Sequence, residues 1–189
     1  MTATAAPTRF GTAVIVGVGP GLGLALCSVL AEAGMTVHAA ARDESRLAGT
    51  IGSLSPQVRP HACDAADRAS VDALFDAVLE TSGVPDLVVY NAGTFERGGI
   101  AEIDPADFER CWRVGCLGGF HVGQRAAQAM LAGEPASGGN RTILFTGATA
   151  SLRGGAGLPI WRCRSSASGR SPSPWRGNWG RRASMSAMW

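Results

Sequence analysis

The sequence predicts an α/β fold built on a doubly wound parallel sheet, and three observations carry that prediction. Short runs rich in β-branched residues alternate with stretches at helical spacing along the first 150 residues. The first such run, Thr12–Gly17, is rich in β-branched residues and ends at glycines, as a buried parallel strand should. The chain has 189 residues, 46% of them hydrophobic and 17% charged, which suits one domain with a sizeable core.

The elements follow in order. Thr12–Gly17 reads as a first strand that ends at glycines. Leu22, Leu24, Ala25, Val29, Leu30 and Ala33 mark a helix, which Gly34 closes. Thr36–Ala40 is a second strand, Asp43 is placed to cap a short helix through Leu47, and Val58–Cys63 is a third strand. A helix over Ala69–Leu79 has its apolar face at Val71, Leu74, Phe75 and Val78. Leu87–Tyr90 is the fourth strand, Ala106–Met130 the longest helical pattern, and Thr142–Thr146 the fifth strand. Right-handed crossovers then place helices on both faces.

Composition excludes several classes. The stretch Ala13–Leu30 is the most apolar, but five glycine or proline breaks argue against a membrane helix or a signal peptide. The five cysteines (Cys27, Cys63, Cys111, Cys116, Cys163) have no zinc-knuckle or CxxC spacing, so a reducing, cytoplasmic setting is expected. All 17 basic residues are arginine. Through Glu134 the formal balance is −6, and from Pro135 onward it is +8 with no acid at all. Four of the five tryptophans lie in the last 29 residues. The two regions therefore need separate explanations.

In an open α/β sheet ligands bind beyond the carboxyl ends of the strands. The first such end carries Gly17-Val18-Gly19-Pro20-Gly21-Leu22-Gly23. A Walker A loop needs a lysine, and GxGxxG would put its third glycine on Leu22 or Leu24; the spacing present is Gly17-xxx-Gly21-x-Gly23. Glycines here permit a tight turn and close approach of a pyrophosphate to the free amides of the helix start. An ordinary glycine-rich turn would look similar. Arg42, just past the second strand, is placed to meet a 2′-phosphate and so favours NADP, with NAD the alternative; a solvated surface arginine reads the same way. Asp64, after the third strand, suits an adenine amine or a helix cap equally. Asn91-Ala92-Gly93 follows the fourth strand directly.

With Gly17/Gly21/Gly23, Asp64, Asn91-Ala92-Gly93 and the helix around Phe108–Phe120, residues 10–158 resemble the short-chain dehydrogenases/reductases. The resemblance implies a Rossmann-type sheet and hydride transfer between a nicotinamide dinucleotide and a carbonyl or alcohol. It assigns cofactor contact to Gly17, Gly19, Gly21, Leu22, Gly23, Arg42, Asp64, Asn91, Ala92 and Gly93. The family's Asn-Ser-Tyr-Lys set is not in place: Gly115 stands at the asparagine, Ala148 at the serine with Ser151 three residues late, and Trp161 and Ser165 near the tyrosine and lysine. The single tyrosine, Tyr90, lies on the fourth strand, and the catalytic residues are therefore unknown.

The region after Leu158 has neither helical nor strand period. Shifted by one base, Pro174–Gly180 can read Met-Ala-Arg-Glu-Leu-Gly and Ala183–Trp189 can read Gly-Ile-His-Val-Gly-His-Val, which resemble the family's next helix and sixth strand. A one-base slip between Gly157 and Ser165 accounts for the acid-free tail, its tryptophans and the absent tyrosine and lysine together. This divides the chain into a dinucleotide-binding domain, 1–158, and a basic, disordered tail, 159–189. The expected sheet has about five strands, its fifth or a neighbouring strand left as an exposed edge. The expected function is that of an NAD(P)-dependent oxidoreductase, inactive in this truncated form; the alternative is a non-catalytic dinucleotide-binding sensor or scaffold. No nucleic-acid or membrane partner is expected. The family pairs through its long helices and the far end of the sheet, which makes a homo-oligomer the weaker expectation here.

Overall fold

The computed structural model describes residues 11–99, 101–133 and 140–147, together with the backbone of 183–188. Five parallel strands are formed by β1 (Thr12–Val16), β2 (Thr36–Ala41), β3 (Val58–Ala62), β4 (Leu87–Tyr90) and β5 (Arg141–Thr146). A sixth, β6 (Ala183–Met188), adds parallel to β5, giving the order β3-β2-β1-β4-β5-β6. Five of these strands fall where the sequence puts them. The sixth corrects the expectation of an open edge at β5 and of an irregular segment throughout 159–189. Its physical basis is the backbone: the outer N–H and C=O groups of β5 require partners, and an extended segment supplies them in register, Arg141 opposite Ala183 through Thr146 opposite Met188. The remaining tail residues lie outside those described.

Helices cover both faces. On one face α1 (Leu22–Glu32) and α2 (Glu44–Ile51) bury Cys27, Ala31, Leu47 and Ile51 against Ala13, Ile15, Val37, Ala39 and Val89. On the other, α3 (Arg68–Ser82) and α5 (Gly118–Ala132) pack Phe75, Val78, Val122, Ala126 and Met130 on Val14, Val16, Val88, Tyr90 and Ile143. Strand residues thus alternate between two cores, which explains why β1 and β4, at the centre of the sheet, read as almost uninterrupted apolar runs. Full burial of Phe75 alone removes enough apolar surface to contribute about 2–3 kcal/mol.

The longest helical pattern is not one regular helix. It comprises α4 (Pro105–Trp112), a π-turn over Arg113–Leu117, and α5. Gly118 explains the departure: a Cβ there would lie 2.6 Å from the Tyr90 hydroxyl and 3.0 Å from the Ala65 carbonyl. The helix is pressed onto β4, and the Tyr90 hydroxyl donates to the Val114 carbonyl within the widened turn. Arg141, buried at the start of β5, donates to the Gly133 carbonyl at 2.7 Å and to that of Met130, closing the carboxyl end of α5.

Candidate functional site

The strand order reverses between β1 and β4, so the crevice beyond their carboxyl ends is where a doubly wound sheet binds ligands. Gly17 leaves β1 and Asn91 leaves β4, and they meet there. Gly17 has φ +93°, and a Cβ on it would stand 2.2 Å from the Ala92 amide nitrogen. Gly23 is similarly tight, 2.8 Å from the Val18 Cα. These two glycines are required by packing. Gly19 and Gly21 are not: a Cβ at either would have nothing within 4 Å. The protein's own atoms thus leave open space beside the backbone at Gly19 and Gly21, where a ligand could approach it closely.

The start of α1 makes the same point. Asp43, Asp67 and Asp104 cap α2, α3 and α4, accepting from the amides of Arg46 (3.0 Å), Ala69 (3.1 Å) and Ala106 (2.7 Å). By contrast, α1 begins at Gly21 with no side-chain cap and no acid in its first turn. Its first amides, at Leu22 and Gly23, have no intrahelical acceptor. A helix start left open at the switch point can hold an anion.

Asn91 ties the two sides together. Its backbone amide donates to the Val16 carbonyl at 2.8 Å and its Nδ2 to the Gly17 carbonyl at 2.9 Å. Ala92 forms the floor under Gly17, and Gly93 is exposed at the rim. Arg42 and Asp64 are exposed past the ends of β2 and β3. The capping alternative for Asp64 is corrected: Asp67 caps α3, whereas Asp64 Oδ1 accepts from the Ala66 amide at 3.0 Å in a local turn. Neighbouring Cys63 is buried, and desolvation pushes its thiol up to about 11, which leaves it unreactive at neutral pH.

The reacting positions are a different matter. Gly115 lies within the π-turn and brings no side chain. Tyr90 is buried against that turn, so its hydroxyl serves the fold. Ala148, Ser151, Trp161 and Ser165 lie outside the described residues. Two features escaped sequence reasoning. Thr146 donates to Asn91 Oδ1 at 3.0 Å, and the strand register could have shown it, since Tyr90 lies opposite Phe145 and the next pair is Asn91 and Thr146. In the second, Arg110 on α4 pairs with Asp107 at 2.7 Å and with Glu96, pinning the segment after Asn91-Ala92-Gly93 to α4.

Sheet order, switch-point glycines and the Asn91 tie define a doubly wound α/β domain of the Rossmann type. The family model for short chain dehydrogenase matches residues 11–163, and the chain belongs to that family. It is 36% identical over 101 residues to an NADPH-dependent pterin aldehyde reductase of Arabidopsis thaliana, covering 52% of this chain and 42% of that one. It is 30% identical over 146 residues to versicolorin reductase stcU of Emericella nidulans, covering 75% and 53%. A short-chain dehydrogenase structure from Rhodopseudomonas palustris superposes with a TM-score of 0.74 at 28% identity, covering 84% of this chain and 73% of that one. The chain spans about half the length of the curated relatives it matches. Among the described residues, no helix is long and apolar enough to cross a membrane.

Proposed function

We propose that this chain binds a nicotinamide dinucleotide, NADP in preference to NAD, in the crevice between β1 and β4. The observation that carries the reading is the open start of α1 beneath Gly19 and Gly21, where the protein's own packing asks for neither glycine nor an uncapped helix. In this assignment the amides of Gly19, Gly21, Leu22 and Gly23 hold the pyrophosphate. Gly17, Asn91, Ala92 and Gly93 shape the floor and rim, Asp64 takes the adenine amine, and Arg42 pairs with a 2′-phosphate. A relative whose name includes NADPH dependence supports the last point.

The bound nicotinamide supplies or accepts hydride, and the family's chemistry is reduction of a carbonyl or oxidation of an alcohol. A proton must then move to or from the substrate oxygen. Gly115 cannot donate or relay one, which favours a second reading, a dinucleotide-binding protein with little or no turnover. Titrating the full-length chain with NADPH and NADH by nicotinamide fluorescence is the test. NADPH is expected to bind about tenfold tighter than NADH. Reduction of a panel of aldehydes and ketones is expected to run on the order of 10²–10⁴ below a reductase that has a positioned proton donor. Failure of either nucleotide to bind would end the proposal, and brisk turnover would end the sensor reading.

A further inference from the structure

We propose that Thr146, the last residue of β5, is a positioning residue for the glycine turn, acting through Asn91. This rests on the reading of that turn as a nucleotide cradle. The Gly17 carbonyl can only accept, so the Asn91 side chain must turn Nδ2 towards it, at 2.9 Å. Oδ1 is then left facing β5, where it can only accept, and the Thr146 hydroxyl donates to it at 3.0 Å. The only other acceptor described for that hydroxyl is the Tyr90 carbonyl, at a long 3.4 Å. The Gly17 carbonyl thus sets which way the amide points, and the hydroxyl proton holds it in place from the β5 side.

The consequence reaches the turn because Asn91 sits beneath both of its tight glycines. A Cβ on Gly23 would lie 3.4 Å from Asn91 Nδ2, and Gly17 already rests on the Asn91–Ala92 peptide. Without the hydroxyl, Oδ1 loses its donor and the amide its anchor on β5, which loosens its hold on the Gly17 carbonyl. The turn is then free to rotate its amides away from the crevice. A valine at 146 keeps the branched shape of the strand end and removes only the donor. Thr146 therefore links the end of β5, from which residues 147–151 continue, to the phosphate side of the crevice.

The test compares the full-length chain with Thr146→Val, Thr146→Ala and Thr146→Ser. Gly17 and Val18 both donate their amides to the Ala40 carbonyl, at 2.9 and 3.0 Å, which gives each a measurable protection from hydrogen exchange. Thr146→Val and Thr146→Ala are expected to raise exchange at these two amides about fivefold, with the amides of β2 and α3 unchanged and Thr146→Ser close to the parent. NADPH affinity is expected to fall about tenfold in the first two variants and to be retained by serine. Unchanged exchange at Gly17 and Val18, or an equal rise across the whole sheet, would overturn the proposal. So would NADPH binding in Thr146→Val as tight as in the parent. If the parent binds neither NADPH nor NADH, the nucleotide reading fails, and the exchange pattern alone decides whether Thr146 positions the turn.

Discussion

Across the β1–β4 crevice the two flanks are built on different terms. On the β1 flank the residues that shape the cradle also hold the sheet together: Gly17 packs on Ala92, and Asn91 bonds to Val16 and Gly17. On the α4–α5 flank Gly115, at the position where the family resemblance expects an asparagine, lies inside a π-turn whose attachment to the sheet runs through Tyr90 and Gly118 instead. The first flank cannot lose its shape without unfolding the domain. The second can lose its reacting side chain and keep its fold.

That contrast can be broken most directly at Gly17. Gly17→Ala forces a Cβ to 2.2 Å from the Ala92 nitrogen at a left-handed φ, and thermal unfolding should show a loss of about 3 kcal/mol or more. Gly21→Ala meets nothing within 4 Å and should melt within about 0.5 kcal/mol of the parent, yet bind NADPH markedly more weakly.

A region away from both flanks supplies a control on stability. His38 is fully buried, with Nδ1 2.8 Å from His61 Nε2 and Nε2 2.9 Å from the Ser82 hydroxyl. Burial, reinforced by the nearby His61 and Arg59, lowers its pKa to about 4. The unfolded chain, with an ordinary histidine near 6.5, binds that proton first. Stability from this group is therefore complete above pH 6.5 and drains away as pH falls towards 4, by roughly 2–3 kcal/mol. Denaturant melts at pH 7 and pH 4.5 check this, and His38→Asn should reduce the difference, leaving the smaller part due to His61, whose pKa burial also lowers.

On the α5 flank, Gly118→Ala drives a methyl into the Tyr90 hydroxyl and the Ala65 carbonyl, and a destabilisation of about 1–3 kcal/mol is expected in the same melts. The smallest effect belongs to exposed Arg42. Arg42→Asp should leave the melting curve in place while reversing the preference between NADPH and NADH by about tenfold, read by competition titration.

How much of this was legible in the chain depended on whether the determinant was local. Leu87–Tyr90 and the Asp43 cap were readable because a buried apolar run and a capping side chain act within a few residues. The π-turn was not: its cause is the Tyr90 hydroxyl and the absence of a side chain at Gly118, and one extra residue hardly disturbs a helical pattern. Nor was β6, because parallel pairing with β5 satisfies backbone groups and needs no side-chain signature. At the site, the glycines and Asn91 stood out by spacing. Thr146 needed the β4–β5 register, a long-range fact.

The uncapped start of α1 has a consequence for rates as well as for contacts. Helices that follow parallel strands all begin at the same edge of the sheet, and here three of them present an aspartate there: Asp43, Asp67 and Asp104. Arginines stand beside two of these caps, Arg42 next to Asp43 and Arg68 next to Asp67, whereas at α1 the helix's own positive pole is unmasked. For a polyanion bound as proposed, that unmasked pole is the part of the rim that attracts it. Under the proposed nucleotide reading, association should slow as ionic strength rises while dissociation changes less.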